Sequence, residues 1–468
     1  MPSSAGLLGS QFMDVLIVVT QSDCRQLDEE SFVKTDLSEA GRLVSDGVKR
    51  FGIDVFKVMC SESRKNLIFS PFSISLGVGM LYMMTAGRSA DEITKALYLQ
   101  SDSQEIAEGF NDMMQSAKRS HPLVTLPDGE YRKKGHYSTR RSRDERLLSR
   151  RGGFKGWVEE DSEDTRGLGS MRLSRNGSVE IGNRAYVDDR FTLKQSYLDT
   201  IQNYLEADSE NVDFSDPENA RQIINQWVSN KTKGKVPTLF QPGTIDLSTK
   251  IALVNTLYFK GLWHYPFNNA LSMERDFHTE DGQVKKVNMM SITKSFRFAE
   301  IPKLELKAIS LPYENGRQKM LIILPDKPDG LVKLEQTLTL DNIQNEILNV
   351  MGYEMVKVRI PKFNLDESIS LKNTLIKMGV VSVFDANKAN FSRGVDVDGL
   401  EVSAVQHRAC IEVDAKGTVG AAATGIAISL RSGLMVSPSF IADHPFIFVI
   451  TDVGKKAILF MGRYMGPP

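Results

Sequence analysis

The sequence has few of the residues and motifs from which catalytic sites are built. Its 468 residues include three cysteines and six histidines. Cys24, Cys60 and Cys410 are odd in number, widely spaced and lack a CxxC pair, so neither a disulfide framework nor a zinc site is predicted. GxSxG, HExxH, phosphate-loop and strand-then-helix GxGxxG motifs are missing. We therefore expect neither enzymatic activity nor a metal or cofactor.

The sequence also lacks an excess of charge and a long apolar run. Its net charge of −1 comes from 58 basic and 59 acidic residues, so any attraction to nucleic acid or membranes has to be local. The apolar run at residues 12–19 is too short and too poorly flanked for a signal peptide, and no segment approaches a membrane span. These features predict a monomer that does not associate with membranes.

The most unusual segment covers residues 416–440, KGTVGAAATGIAISLRSGLMVSPSF. Residues 418–430 carry no charge, and Arg431 is the only basic residue between Gly417 and Phe440. Tracts of Gly, Ala, Ser and Thr are typical of exposed linkers. Here, however, apolar runs on both sides predict buried strands. An uncharged segment that joins two core strands could itself enter a sheet without burying a charge.

Several motifs, including this segment, resemble those of the serpins, which trap proteases by inserting a cleaved loop into a β-sheet. They are, in serpin order, NLIFSPFSIS (66–75), INQWVSNKTKGKV (224–236), LVNTLYFKGLWHYPF (253–267), VRIPKFNLDESISL (358–371), EVDAKGTVGAAATG (412–425), ADHPFIFVI (442–450) and LFMGR (459–463). The resemblance spans about residues 43–465. It implies an α+β serpin fold with about three β-sheets, eight to nine helices and an exposed reactive-centre loop.

The resemblance also assigns positions within this loop. Inhibitory serpins have a hinge of Gly-Thr followed by small residues. The matching hinge positions are Gly417, Thr418, Gly420, Ala421, Ala422, Ala423 and Thr424. Counting fourteen residues beyond Gly417, as the family does, places the reactive bond between Arg431 and Ser432. Arginine suits the acidic primary pocket of trypsin-like proteases. Ala415 replaces a glutamate of many members, which puts latent-state behaviour in doubt but not inhibition.

A buried polar cluster is expected beneath the point where the sheet opens. By resemblance it contains Ser70, Ser73, Asn255 and His407, and Trp263 packs near the top of the sheet where the hinge enters. From the residues alone, Asn255 is the sharpest case, because an amide in an apolar strand is costly unless it is hydrogen-bonded. Such a cluster can stay bonded in a closed sheet and re-pair when a strand enters.

The chain is predicted to have a loosely ordered leader at residues 1–42 and a single domain at residues 43–468. A disordered insertion at about residues 120–175 interrupts this domain, because apolar residues there are sparse and aperiodic. It resembles the long inter-helical loop of some intracellular-type, ovalbumin-like serpins. Residues 132–155 contain two acidic residues and the following basic ones: Arg132, Lys133, Lys134, Arg140, Arg141, Arg143, Arg146, Arg150, Arg151 and Lys155.

This basic tract either docks a polyanion such as heparin or DNA or is only a solvated charge run. The expected function is suicide-substrate inhibition of a trypsin-like serine protease, with which the chain would form a covalent complex. The alternatives are a non-inhibitory serpin and a polyanion-binding protein acting through residues 132–155. Glycosaminoglycan activation would be the only cofactor effect. The expected targets favour the extracellular space, and the missing signal peptide favours the cytoplasm.

Local patterns add expectations for individual helices. Apolar spacing predicts helices at residues 43–59 and 75–85. Ser89 and Glu92 match a capping box for a helix at residues 90–97. A further helix at residues 217–230 is predicted to have Ile223, Ile224 and Trp227 on one side, and by resemblance it lies across the main sheet.

Overall fold

The computed structural model describes residues 37–119, 178–314, 316–415, 437–453 and 456–467. These residues form eight α-helices, one π-helical segment and 14 strands. The α-helices are α1 (Glu39–Glu62), α2 (Pro71–Met84), α3 (Gly87–Ala96), α4 (Ser103–Arg119), α5 (Gln195–Leu205), α6 (Pro217–Lys231), α7 (Leu331–Thr337) and α8 (Lys372–Lys377). The π-helical segment is Asn342–Leu348, and short 3₁₀ turns lie at Asn269–Leu271, Pro302–Leu304 and Ser382–Phe384.

The strands form two hydrogen-bonded sheets. They are β1 (Leu67–Phe69), β2 (Ser178–Asp188), β3 (Asp208–Val212), β4 (Ile251–Lys260), β5 (Met273–His278), β6 (Val284–Ile301), β7 (Leu306–Pro312), β8 (Gln318–Pro325), β9 (Gly352–Pro361), β10 (Phe363–Ser370), β11 (Val402–Val413), β12 (Ser439–Ile441), β13 (Phe446–Asp452) and β14 (Ala457–Tyr464). One sheet has the order β10-β11-β4-β2-β3. The other has the order β1-β14-β13-β8-β7-β6-β9-β12, with β5 beside β6.

The α+β prediction is confirmed. The described strands form two connected sheets, where the resemblance implied about three, because the 18-residue strand β6 belongs to two layers. Its first part pairs with β5 and β9, and its last part, from Arg297 to Ile301, pairs with β7. One long strand therefore joins regions that would otherwise count as separate sheets.

Two helices near the N-terminus begin earlier than predicted. α1 begins at Glu39 and not at residue 43, because the Ser38 side chain caps it by accepting a hydrogen bond from Gly41 N–H. Residues 39–42 of the predicted leader are therefore helical. α2 begins at Pro71 and not at residue 75, with Ser70 as its cap and proline at a position where no N–H is needed.

The capping box predicted for α3 is wrong. The helix begins at Gly87, whose φ of 51° is a conformation that glycine adopts readily. Ser89 is buried and its hydroxyl accepts a hydrogen bond from Asn390 N–H. Glu92 instead accepts hydrogen bonds from Ser382, which holds the pKa of this carboxyl near 2 despite its partial burial. Both residues thus bind the segment after α8, and Glu92 also pairs with Arg88 of its own helix, but neither caps the helix N-terminus.

The five-stranded sheet is covered on both faces. On β4, Leu253 and Leu257 face the main core, whereas Val254 and Tyr258 face a smaller core beneath α6. This two-sided burial explains why β4 is an almost continuous apolar run.

α6 lies across the outer face of this sheet, as the resemblance implied. Ile224 is fully buried, Trp227 is half-buried, and Ile223 is exposed, so only part of the helix side that carries these three residues faces the sheet. Adjacent residues on a helix are 100° apart, and only one of the two isoleucines can face the sheet squarely.

The other sheet has an apolar centre. All eight residues of β14 are buried, and β14 pairs with β1 on one side and β13 on the other. Phe446, Phe448 and Tyr464 pack around Phe363 with ring centroids 4.8 to 6.2 Å apart. Among the helices of the described ranges, none is both long and apolar enough to cross a membrane.

Candidate functional site

The two central strands of the five-stranded sheet, β4 and β11, are parallel. Their register is continuous from Val405 beside Leu253 to Ile411 beside Phe259. Their outer neighbours β2 and β10 are each antiparallel to them. We call the β4–β11 boundary the seam. A segment that left the end of β11 and turned back would be antiparallel to both strands of the seam, so it could form antiparallel hydrogen-bond ladders on both sides.

A row of buried polar side chains crosses the seam. His407 on β11 lies beside Asn255 on β4, which lies beside Asn183 on β2. Their exposed fractions are 0%, 3% and 8%. Asn255 Oδ1 accepts a hydrogen bond from His407, and Asn255 Nδ2 donates one to Asn183. The row thus satisfies polar groups that would be costly to bury unpaired.

The N-terminus of α2 completes this cluster from the core side. Asn255 Nδ2 lies 2.5 Å from the carbonyl oxygen and 2.7 Å from the hydroxyl of Ser73. The Ser70 hydroxyl accepts a hydrogen bond from Ser73 N–H at 3.0 Å. Ser70 N–H donates to His407 Nε2 at 3.1 Å. The polar cluster therefore consists of Ser70, Ser73, Asn183, Asn255 and His407.

The hydrogen bonds of His407 require a neutral imidazole. Ser70 N–H points at Nε2, which assigns Nε2 as the acceptor and leaves the ring proton on Nδ1, facing Asn255. A second proton at Nε2 would face this N–H directly. Burial lowers the pKa of His407 to about 3. His407 is therefore a structural hydrogen-bonding residue at neutral pH and not a proton donor.

Two contacts close the upper end of the seam, where β11 ends. Lys260 and Glu412 form an ion pair of 3.0 Å across it, with 34% and 39% of their side chains exposed. The Trp263 indole donates a hydrogen bond of 2.9 Å to the carbonyl oxygen of Asp414 and stacks on Tyr313 at 4.6 Å. These contacts lie near Ala415, the last described residue before residues 416–436.

Trp263 is separate from the polar cluster. Asp414, its partner, lies seven residues beyond His407, which corresponds to about 23 Å of strand. Of the predicted site residues, the structure thus brings together Ser70, Ser73, Asn255 and His407. It places Trp263 at the upper end of the seam.

α6 is attached to the edge of the same sheet by a contact between an aromatic ring and a cation. The Arg184 guanidinium lies 4.9 Å from the centre of a Trp227 ring. Arg184 also forms ion pairs with Asp208 and Glu210 of β3. This contact adds to the buried Ile224 and Val228 in holding α6 on the sheet.

The sequence-based reasoning missed Asn183, Lys260 and Glu412. Asn183 follows Gly182 in a segment predicted only as a strand, and its role depends on the register that aligns it with Asn255. An asparagine next to predicted apolar strand positions is the one signal that could have indicated it. In the sequence, Lys260 and Glu412 look like ordinary charged surface residues. Only the pairing of β4 with β11 shows that they form an ion pair.

Other predicted site residues lie outside the described ranges. These are the hinge positions from Gly417 to Thr424, the reactive bond between Arg431 and Ser432, and the ten basic residues between positions 132 and 155. The structure does describe both attachment points of the loop, Ala415 and Ser437. Ala415, which replaces the family's glutamate, is buried at 2% exposure.

Sequence comparison relates the chain to known protease inhibitors. Residues 46–136 and 152–467 match the family described as serpin (serine protease inhibitor). Over 431 residues the chain is 32% identical to the leukocyte elastase inhibitor of Xenopus laevis, covering 91% of this chain and 99% of that protein. Over 427 residues it is 30% identical to serpin B10 of Sorex araneus, with coverage of 91% and 99%.

Solved structures show the same architecture. The serpin48 structure from the insect Tenebrio molitor matches with a TM-score of 0.71 and 25% identity, covering 91% of this chain and 99% of that one. Uncleaved ovalbumin matches with a TM-score of 0.71 and 24% identity, covering 91% and 100%, which is a likeness of fold alone.

Proposed function

Because this chain belongs to the serpin family of serine protease inhibitors and is not itself an enzyme, we propose that it traps trypsin-like serine proteases as a suicide substrate. The protease serine attacks the carbonyl carbon of Arg431. The peptide bond to Ser432 breaks, and the new amino terminus at Ser432 leaves. The segment that ends in Arg431, whose carbonyl carbon is now bonded as an ester to the protease serine, then enters the seam as a new strand and carries the protease along.

The observation that carries this proposal is the parallel seam. An inserted strand would be antiparallel to β4 and to β11, which makes the centre of the sheet antiparallel throughout. Thr418 to Arg431 covers 13 residue steps, or about 40 Å of strand. β11 itself has 12 residues, so the segment is long enough to fill the seam from its upper end.

The polar cluster supports the same step. Asn255 and His407 are hydrogen-bonded to each other across the closed seam, and both also bind α2. When the strands part, each residue keeps its bond to α2 and can form a new one with the entering backbone. Opening the seam therefore need not leave either side chain unpaired.

Specificity rests on Arg431. An arginine there fits a primary pocket with a carboxylate at its base, whereas elastase has a small pocket. One relative is named an elastase inhibitor, but the side chain at the cut decides the target. We therefore expect trypsin to be trapped in preference to elastase.

Mixing the protein with trypsin or with elastase tests the proposal. We expect an SDS-resistant adduct with trypsin and release of a C-terminal peptide that begins at Ser432, identified by mass spectrometry. Arg431→Ala should lose adduct formation with trypsin by several orders of magnitude in rate, because the pocket carboxylate is left unpaired. A peptide that begins at Arg431 or Met435 would overturn the assignment.

A hinge variant separates cleavage from insertion. Thr418→Arg should be cut by trypsin without forming an adduct, since the first step of insertion would bury a charge. Ser437→Arg, at an exposed position beyond the inserted part, is the matched control and should form adduct normally. Cleavage of the wild type should raise its melting temperature sharply. Identical melting of the cut and intact forms would support a non-inhibitory serpin.

A second candidate function is polyanion binding by residues 132–155. The supporting observation is their ten basic residues against two acidic ones. Salt-dependent retention on heparin or DNA that is lost when the tract is deleted would support it. Retention unchanged by the deletion would rule the tract out. Heparin that accelerates adduct formation would make the polyanion an activator rather than the main partner.

A further inference from the structure

An exposed apolar surface lies on β9, the strand that pairs with β12. β9 pairs with β6 over residues 352–361, whereas on its other edge, among the residues that the structure describes, β12 pairs with residues 357–359. The first half of β9 carries Tyr353 and Met355, which are 52% and 50% exposed and share one face. Val350, just before the strand, is 56% exposed. We call Val350, Tyr353 and Met355 the β9 patch.

Exposed cations border the β9 patch. Lys357, two residues beyond Met355, is exposed, and so is Lys294, which lies opposite Val356 on β6. The Lys294 ammonium lies 6.0 Å from the centre of the Tyr265 ring. A cavity of ≈ 40 Å³ beside Tyr353 is lined in part by Tyr265 and Ser295. Apolar side chains next to exposed lysines suit a partner surface that presents apolar and acidic groups.

The chain itself places the reactive bond near this patch. Lys357 N–H donates a hydrogen bond of 3.0 Å to the Pro438 carbonyl oxygen. Six residue steps separate Ser432 from Pro438, so the bond lies within about 20 Å of Lys357 whatever path the chain takes. Tyr353 lies four residues farther along β9, about 13 Å away.

These distances are smaller than the diameter of a protease. A domain of about 200 residues has a radius of gyration of about 16 Å and hence a diameter near 40 Å. The β9 patch is therefore within one protease diameter of the bond that the protease must grip. Singly exposed apolar residues are common, but three within six positions at this location form a candidate interface.

We propose that the β9 patch is a second contact surface for the target protease, on the side of the leaving peptide. This inference rests on the proposed function, because it assumes that the partner is a protease bound at Arg431–Ser432. It assigns Tyr353 and Met355 as specificity-determining residues that act before insertion, by accelerating the encounter.

The test compares a double variant, Tyr353→Ser with Met355→Ser, with Leu247→Ser. Leu247 is 68% exposed and precedes β4, at the end of the seam away from Trp263. Two quantities are measured: the rate constant for adduct formation with trypsin, and the Kd for trypsin whose catalytic serine is replaced by alanine. We expect both to worsen about tenfold in the double variant and by less than twofold in the control.

The inactive trypsin separates this inference from the proposed function. Weaker binding by the double variant supports the β9 patch even if no adduct forms, in which case only the trapping proposal fails. If the double variant forms the adduct at the wild-type rate and binds inactive trypsin with the wild-type Kd, only the β9 patch is overturned. If neither the wild type nor the double variant binds inactive trypsin, the β9 patch is overturned as well.

Other occupants of the β9 patch give different results. If residues 433–436 of the same chain pair with the first half of β9, the double variant lowers the melting temperature and leaves the rate unchanged. If a second copy binds there, sedimentation shows a dimer that the double variant abolishes. Either result overturns the protease contact.

Discussion

Two strand pairs, one in each sheet, differ in strand direction and in the side chains along their boundary. The seam joins β4 and β11 in parallel, and His407 and Asn255 meet at its middle. β13 and β14 are antiparallel, with Phe448 and Phe460 fully buried. Both pairs have a backbone hydrogen-bond ladder and buried apolar side chains, but polar side chains also bond across the seam, at His407 with Asn255 and at Lys260 with Glu412.

This difference indicates which boundary is able to open. Hydrogen bonds exchanged for other hydrogen bonds cost little net free energy, whereas apolar surface that is opened must be hydrated. Gly462 of β14 shows how tight the second pair is, since a Cβ there would lie 2.6 Å from the ring of Phe448 on β13. We therefore expect the seam to part while β13 and β14 stay together.

The largest effect should come from the apolar pair. Phe448→Ala removes a fully buried ring and should lower the free energy of unfolding by about 3–5 kcal/mol. Urea unfolding should show a similar loss for the intact and the loop-cleaved protein, because both keep β13 and β14 paired. Leu247→Ala, at an exposed position, serves as the control. A loss seen only in the intact or only in the loop-cleaved protein would contradict the idea that β13 and β14 stay paired in both.

A smaller loss should come from the centre of the seam. Asn255→Ala leaves His407 and Ser73 without their partner and should cost about 2–3 kcal/mol. In a double-mutant cycle with His407→Ala, the two changes should be non-additive by about 1 kcal/mol or more. Strict additivity in urea unfolding would show that the cluster does not act as a unit.

The pH dependence of the free energy of unfolding tests the role of His407. The unfolded chain binds a proton at this residue near pH 6.5, whereas the folded chain does so only near pH 3. Between these values the unfolded state holds more protons, so stability falls as the pH falls, by about 1.4 kcal/mol per pH unit. From pH 6.5 to pH 5 this loss is about 2 kcal/mol. His407→Gln should lack it, and an equal pH dependence of both proteins would disprove the assignment.

The smallest effect should come from the upper end of the seam. Glu412→Gln removes a partly exposed ion pair and should change the free energy of unfolding by at most about 1 kcal/mol. The difference from wild type should shrink in 1 M salt. Lys286→Gln, which breaks an ion pair on β5 and β6, is the matched control away from the seam. A larger, salt-independent effect would mean that Glu412 acts through packing.

Local sequence patterns predicted the structural features that depend on the burial of apolar side chains. The runs that became β4 and β13 were predicted to be apolar strands because continuous apolar residues have few alternatives in a folded chain. Asn255 was identified for the same reason, as an amide within such a run. The fold class then followed from the family resemblance.

Features that depend on long-range partners were not predictable from local patterns. Glu92 has the spacing of a capping box, but its carboxylate binds Ser382, 290 residues away. Asn183 matters only because the β2–β4 register places it beside Asn255. Neither of these two long-range contacts produces a recognisable pattern in the neighbouring sequence. Each is therefore known only from the folded structure.

The position of β14 has a consequence for synthesis of the chain. β1 pairs Leu67 with Arg463, so the edge formed by the early strand stays open until residue 463 has been made. At about 5–20 residues per second, some 20–80 s pass between translation of Phe69 and of Tyr464. During this interval the buried faces of β1 and α2 lack their final cover. Chaperone binding to the nascent chain should therefore persist until the ribosome releases it, and C-terminal truncations should aggregate.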